Sequence, residues 1–153
     1  MVERMTSVNE YRFRVLSVAD HAALLSLWQR CDGISLRQAD SPEGMRRYLD
    51  RNPDLSFVVE LKGEIVASLM AGHDGRRGYI QHLAVDQAHR RQGLAGQLVD
   101  YCLDALADAG IAKSHVHVLR SNQTGQAFWQ RKGWHLREEV EMYSFINGAD
   151  DNA

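Results

Sequence analysis

Aromatic and polar residues alternate from Tyr11 to Val15, the period-two pattern of a strand. Ser17 stands three residues before Asp20, as in a capping box, and leads into an apolar stripe of Leu24, Leu25, Leu27, Trp28 and Cys31. Ser41-Pro42-Glu43 gives a second helix the favoured order of cap, proline and acid, and Pro53 closes it near Asn52. Leu55 to Leu61 and Glu64 to Ala71 are β-branched and apolar runs joined by Lys62-Gly63, a link of hairpin length. A third strand, Tyr79 to Val85, follows the Gly75 to Gly78 turn.

From Gly93 to Ala109 the apolar positions Leu94, Ala95, Leu98, Cys102, Ala105, Leu106 and Ala109 recur at helical steps, with Gly110 as the stop. Lys113 to Leu119 alternates again, with Val116 and Val118 on one face and His115, His117 and Leu119 on the other. A short helix over Gln123 to Lys132 precedes a hairpin-like pair, Trp134 to Glu138 and Val140 to Phe145. The expected order is βααβββαβαββ, an α+β fold with a mixed, mostly antiparallel sheet flanked by helices, because the Gly93 helix must cross over between two strands.

Composition narrows this picture. The 153 residues fit one domain, read as 11–146 with tails at 1–10 and 147–153, and 44% apolar content supplies an ordinary core. Eighteen basic against 20 acidic residues give a net charge of −2, which argues against general affinity for nucleic acid or anionic membrane. Cys31 and Cys102 have no metal or disulfide spacing, and the N-terminus has no apolar leader, so a cytoplasmic protein with reduced cysteines and no metal is expected. The longest uncharged run, Ile65 to Gly72, is far too short to span a membrane.

The chemistry concentrates between Leu83 and Gly96. A strand end, a loop of Asp86 to Gln92 and the small residues Gly93, Ala95 and Gly96 at a helix start aim free backbone N–H groups and the positive helix end at one point. That arrangement suits a phosphate, and Arg90 and Arg91 add charge. There is no G-K-[ST] and no G-x-G-x-x-G opening a first βα unit, so the usual nucleotide folds do not apply. A helix that merely starts with small residues beside an exposed basic loop is the plainer reading.

Arg90-Arg91-Gln92-Gly93-Leu94-Ala95 resembles the Q/R-x-x-G-x-G/A signature of the GNAT N-acyltransferase superfamily, and Leu83-Ala84-Val85-Asp86 is similar to the strand that leads into it. Asn122, Phe128-Trp129 and Gly133-Trp134 resemble the family's N-x-x-A-x-x-x-Y-x-x-x-G-F segment, with Gly125 at the alanine position. Leu27-Trp28-Gln29-Arg30-Cys31-Asp32 and His73 to Gly78 are similar to the small bacterial YpeA-like members.

The resemblance implies acetyl-coenzyme A as co-substrate. Its diphosphate would lie on the backbone of Arg91, Gln92, Gly93, Leu94, Ala95 and Gly96, and its pantetheine arm would pair with Leu83, Ala84 and Val85 as an added strand. Asn122 would touch the arm, an N–H near Leu83 or Val85 would face the oxyanion, and the third and fourth strands of the meander and crossover must splay apart.

Family chemistry is direct attack of an amine on the thioester, which requires a base and a proton donor for the leaving thiolate. His82 and His117 are the candidate bases, each equally readable as a half-exposed strand histidine; a base relayed through water is the other route. The family's acid is commonly a tyrosine where this chain has Trp129, whose indole N–H does not protonate a thiolate. Trp129 would wall the site or pack in the core, leaving water or Tyr143 to supply the proton. The acceptor pocket would combine the first two helices, the Asp32 to Asp40 loop, Tyr79 and Gln81, with Asp32, Asp40 and Asp50 either attracting a cationic amine or simply solvated.

The expected function is therefore acetyl-CoA-dependent N-acetylation of a primary amine, from a small metabolite or a peptide, in a ternary complex. A non-catalytic acyl-CoA-binding module is the alternative, and nucleic-acid binding through Arg76, Arg77, Arg90 and Arg91 ranks third. Oligomeric state stays open, with a homodimer among the options.

Overall fold

In the computed structural model, which describes residues 10–148, 150, 152 and 153, the chain forms a five-stranded sheet with helices on both faces. Most of the expected N-terminal tail and two residues of the C-terminal one lie outside the described residues. The strands are β1 Arg12–Val15, β2 Phe57–Leu61, β3 Glu64–His73, β4 Gly78–Val85 and β5 Ser114–Val116, in the spatial order β1-β2-β3-β4-β5. The first three junctions are antiparallel and the last is parallel. Lys62 and Gly63 both adopt positive φ, +52° and +82°, as a type I′ hairpin turn requires.

Helices α1 (His21–Gln29) and α2 (Pro42–Arg51) cover one face. The Ser17/Asp20 capping box closes a 3-10 turn ahead of α1, and Ser41 caps α2 with its hydroxyl accepting from Gly44 N at 3.0 Å. Leu24, Leu27, Trp28 and Met45 pack there on Val58, Met70 and Ala84. Helices α3 (Leu94–Asp108) and α4 (Gln123–Arg131) cover the other face, where Leu98, Val99, Cys102, Leu106 and Trp129 meet Val59, Val66, Leu69 and Ile80. Arg14 ties β1 into this frame, donating to both oxygens of Asp20 at 2.9 and 2.8 Å and to Glu60 at 2.7 Å. Among the described residues, no helix is long and apolar enough to cross a membrane.

Two expectations need correction. The strand expected over Lys113 to Leu119 shrinks to three paired residues, because β4 keeps register with β5 only from Gly78↔Ser114 to Ile80↔Val116. At that junction the Ser114 and Leu106 side chains pack over Gly78, where a Cβ would collide with Ser114 Oγ.

The final strands expected over Trp134 to Glu138 and Val140 to Phe145 do not form. Gly133, at φ +89°, and Trp134 close α4 instead, with Gly133 N donating to Gln130 O and Trp134 N to Trp129 O, both at 3.0 Å, while the Trp134 ring lies 4.5 Å from that of Trp129. This helix cap consumes the donor and the side chain with which a strand would have started. Beyond it, Val140, Met142, Tyr143 and Phe145 are exposed, so their alternation buries no face.

Candidate active site

The register of β3 against β4 breaks at one place. Met70 pairs with Gln81 and Ser68 with Ala84, so the single residue Leu69 faces both His82 and Leu83. This is a β-bulge, and His82 carries it with φ +48°, a conformation that a non-glycine residue holds only when its surroundings impose it. The extra residue resets the alternation. Ala84 packs with the α1 and α2 layer and His82 turns the same way, whereas Leu83 and Val85 pack on the α3 side.

His82 is held on several sides. Its ring lies 4.6 Å from that of Trp28. Trp28 Nε1 donates to Ser68 Oγ at 2.9 Å, and that hydroxyl donates to the His82 carbonyl at 3.0 Å. His82 Nε2 meets Asp40 Oδ1 at 2.7 Å, with 14% and 15% of the two side chains exposed. The other oxygen of Asp40 accepts from Arg37 N at 2.8 Å, and its carbonyl accepts from His21 Nε2 at 2.7 Å. Burial works against ionisation of Asp40, but the hydrogen bonds from His82 and Arg37 and the nearby imidazoles outweigh it, so its carboxyl ionises below the usual range.

Beyond Ile80, β4 runs on to Val85 with no pairing to β5, so an opening lies where the two strands part. The Val85 carbonyl at its end accepts from Arg90 Nε at 3.2 Å and faces Cys31 Sγ at 3.7 Å. Asp86 caps a 3-10 turn over Gln87–His89 through Ala88 N and is anchored by Arg30 at 2.7 Å.

Arg91 and Gly93 then both take left-handed conformations, φ +65° and +77°, before α3 begins. Leu94 is buried and fixes the helix start, while Arg90 to Gly93 stay exposed and Ala95 and Gly96 are half-buried. The N–H groups of the first helical turn have no intrahelical acceptor and point outward. A Cβ at Gly93 would meet only Gln97 Nε2, at 3.7 Å, so the approach to those donors is open. Bare backbone, positive helix end and flanking guanidinium groups suit a diphosphate.

The other residues singled out from the sequence are dispersed. Asn122 caps α4, accepting from Gly125 N at 2.9 Å, and its amide lies against Gly33 in the loop after α1. A Cβ on Gly125 would sit 2.6 Å from Asn122 Nδ2, so a larger residue there would make the Asn122 side chain shift. His117 is exposed just past β5, on the face that carries the Tyr79–His115 contact of 5.7 Å. Trp129 is only 7% exposed and packs between Phe128 and Trp134, the core position rather than the wall of an open site. Tyr143 is 88% exposed, because the strand expected to carry it inward does not form; the structure brings it to neither histidine. Lys132, not singled out beforehand, reaches from the end of α4 to the first turns of α3, 2.9 Å from Asp100 and 3.5 Å from the Gly96 carbonyl.

Comparison with known proteins places these features in context. The family model described as Acetyltransferase (GNAT) family matches residues 21–134. An acetyltransferase from Pectobacterium atrosepticum is 38% identical over 110 residues, covering 71% of this chain and 77% of that protein. Among solved structures, the PaiA N-acetyltransferase from Thermoplasma acidophilum in complex with coenzyme A superposes with a TM-score of 0.75 at 15% identity, covering 86% of this chain and 93% of that one. Ard1 from Thermoplasma volcanium gives a TM-score of 0.74 at 17% identity, covering 83% and 84%.

Proposed function

The chain belongs to the acetyltransferase (GNAT) family, and from that premise we propose that it is an acetyl-CoA-dependent N-acetyltransferase of a primary amine, acting by direct attack in a ternary complex. The domain responsible spans 11–146. Acetyl-CoA supplies the activated acetyl group. The observation that carries the reading is the β4 bulge, which turns His82 toward the α1 and α2 face beside the opening between β4 and β5.

The backbone of Arg91 to Gly96 fits the diphosphate, because its donors are unpartnered within the helix and no side chain covers Gly93. Leu83 to Val85 offer an unpaired strand edge for the pantetheine arm, and Asn122 would contact that arm. His82 accepts the proton released when the amine nitrogen bonds to the acetyl carbon and the carbon–sulfur bond breaks. Water protonates the departing thiolate, since Trp129 lies in the core and Tyr143 is exposed elsewhere. The acceptor lies on the α1 and α2 face, along Tyr79 and Gln81 and under the Asp32 to Asp40 loop. The acceptor would be a small amine or a peptide N-terminus. The likeness of the segments Leu27 to Asp32 and His73 to Gly78 supports a relationship to the YpeA-like bacterial members.

Burial of Trp129 favours one rival, an acyl-CoA-binding module that lacks the acid and turns nothing over. Release of free thiol, followed across a panel of amines, separates the two. Amine-dependent release that His82→Gln lowers about 100-fold or more supports the enzyme. Saturable acetyl-CoA binding without amine-dependent release supports the module. Should His117→Gln rather than His82→Gln remove the dependence on pH near neutrality, the base is His117.

A further inference from the structure

The geometry points to Asp40 as the positioning residue for His82: its carboxylate holds the imidazole by Nε2, so that Nδ1 is the nitrogen left to receive the acceptor's proton. This inference rests on the reading of His82 as the base and assigns Asp40 a role distinct from attracting a cationic amine.

Four observations carry it. An ionised carboxylate accepts hydrogen bonds and donates none, so the 2.7 Å contact requires the proton on Nε2 and fixes the tautomer. The contact is largely shielded from water, which strengthens a charge-assisted bond. Asp40 is itself immobilised, because Arg37 N occupies its second oxygen and His21 binds its carbonyl. Finally, the histidine backbone is locked at the bulge by the Trp28, Ser68 and His82 chain of hydrogen bonds, so neither partner is free to turn away.

The groups facing this pair are His21 and Trp28 from α1, Ser68 from β3, and the Arg37 backbone from its own 3-10 turn. Of these, only His21 carries an ionisable side chain. When His82 takes a proton, its contact with Asp40 becomes an ion pair. The same carboxylate that orients the base then stabilises the imidazolium formed as the amine is deprotonated. Because Asp40 lies in the loop between α1 and α2, the acceptor-side loop and the base are held as one unit.

The test combines one spectroscopic and two kinetic measurements on the full chain. Imidazole 15N resonances of the wild-type protein above pH 7.5 are expected to show His82 protonated at Nε2; the Nδ1–H tautomer overturns the proposal without any variant being made. Asp40→Asn is expected to lower kcat about 10- to 100-fold with acetyl-CoA affinity unchanged. It is also expected to move the acid limb of the pH–rate profile to lower pH, since a lost opposite charge favours the neutral imidazole. Asp40→Glu is expected to restore part of both effects. An unmoved limb in Asp40→Asn, with His82→Gln still inactive, refutes the positioning role alone. Full activity in His82→Gln instead refutes the base on which it rests.

Discussion

Replacement of Gly93 by valine separates the anion cradle from the fold that carries it. A side chain at φ +77° costs about 1–2 kcal/mol relative to glycine, somewhat more when it branches at Cβ. That is a modest part of the roughly 5–15 kcal/mol that keeps a domain folded. Nothing inside the protein resists the added carbon, whose nearest neighbour is the flexible end of Gln97 at 3.7 Å. On the proposed placement of the diphosphate, however, the valine would stand between it and the donors of the first α3 turn.

If it displaces two N–H bonds to a charged diphosphate, each worth about 1.5–3 kcal/mol, acetyl-CoA affinity falls by about 3–6 kcal/mol, or roughly 10²- to 10⁴-fold. Calorimetric titration with acetyl-CoA measures this loss, and urea unfolding of the same sample measures stability. Gly110→Val is the control: it sits at the other end of α3 at φ +87° with nothing within 4 Å of its Cβ, so it carries the same strain without touching the cradle. Equal acetyl-CoA affinity in the two variants refutes the placement of the diphosphate at Gly93.

Two further predictions concern ionisation. Burial raises the Cys102 thiol to about 12 and pushes Cys31 upward as well, although Arg90 and Arg30 oppose the latter. At pH 8 only about 10⁻⁴ of Cys102 is thiolate, so a disulfide reagent should modify it only as the protein unfolds. Modification of native Cys102 as fast as in urea refutes the assignment. The second prediction concerns carboxylates that ionise below their ordinary range: Asp40, Asp86 through Arg30, and Asp20, where burial opposes but Arg14 and the Ser17 N–H prevail. Their stabilisation is complete above that range and is lost as pH falls through the folded values. The urea midpoint should therefore drop as pH falls below about 4, and Asp20→Asn should flatten that drop; an equally steep fall in the variant refutes the attribution.

Signals confined to a few neighbouring residues were legible in the sequence. The Ser17 and Ser41 caps, the Lys62-Gly63 turn, the Gly110 stop and the small residues that open α3 each depend on local chemistry, and each is found where expected. The bulge was not legible, because it is a property of how β3 aligns with β4, and no residue type in Gln81 to Ala84 announces it. Asp40 could be noticed as an acid but not as the partner of a histidine 42 residues away. Arg91 at φ +65° gave no sign either, since arginine carries no preference for that conformation. The final strands were misread because alternation records which way side chains point and not whether an edge exists to receive them.

The order of strands across the sheet bears on how the protein assembles. From β1 to β4 the longest excursion between neighbouring strands is that through α1 and α2, and the last two junctions, β2 to β3 and β3 to β4, are simple hairpins. Joining β5 to β4 also demands a long closure, over the whole of α3, and its ladder has only three residues, against four where β1 meets β2. Such a junction forms late and opens early, because chain closure costs entropy before contacts compensate. Native-state hydrogen exchange should accordingly find β5 and α4 releasing protons sooner than β2 and β3, with acetyl-CoA, bound beside the β4–β5 opening as proposed, slowing that release and so consolidating the shortest ladder of the sheet.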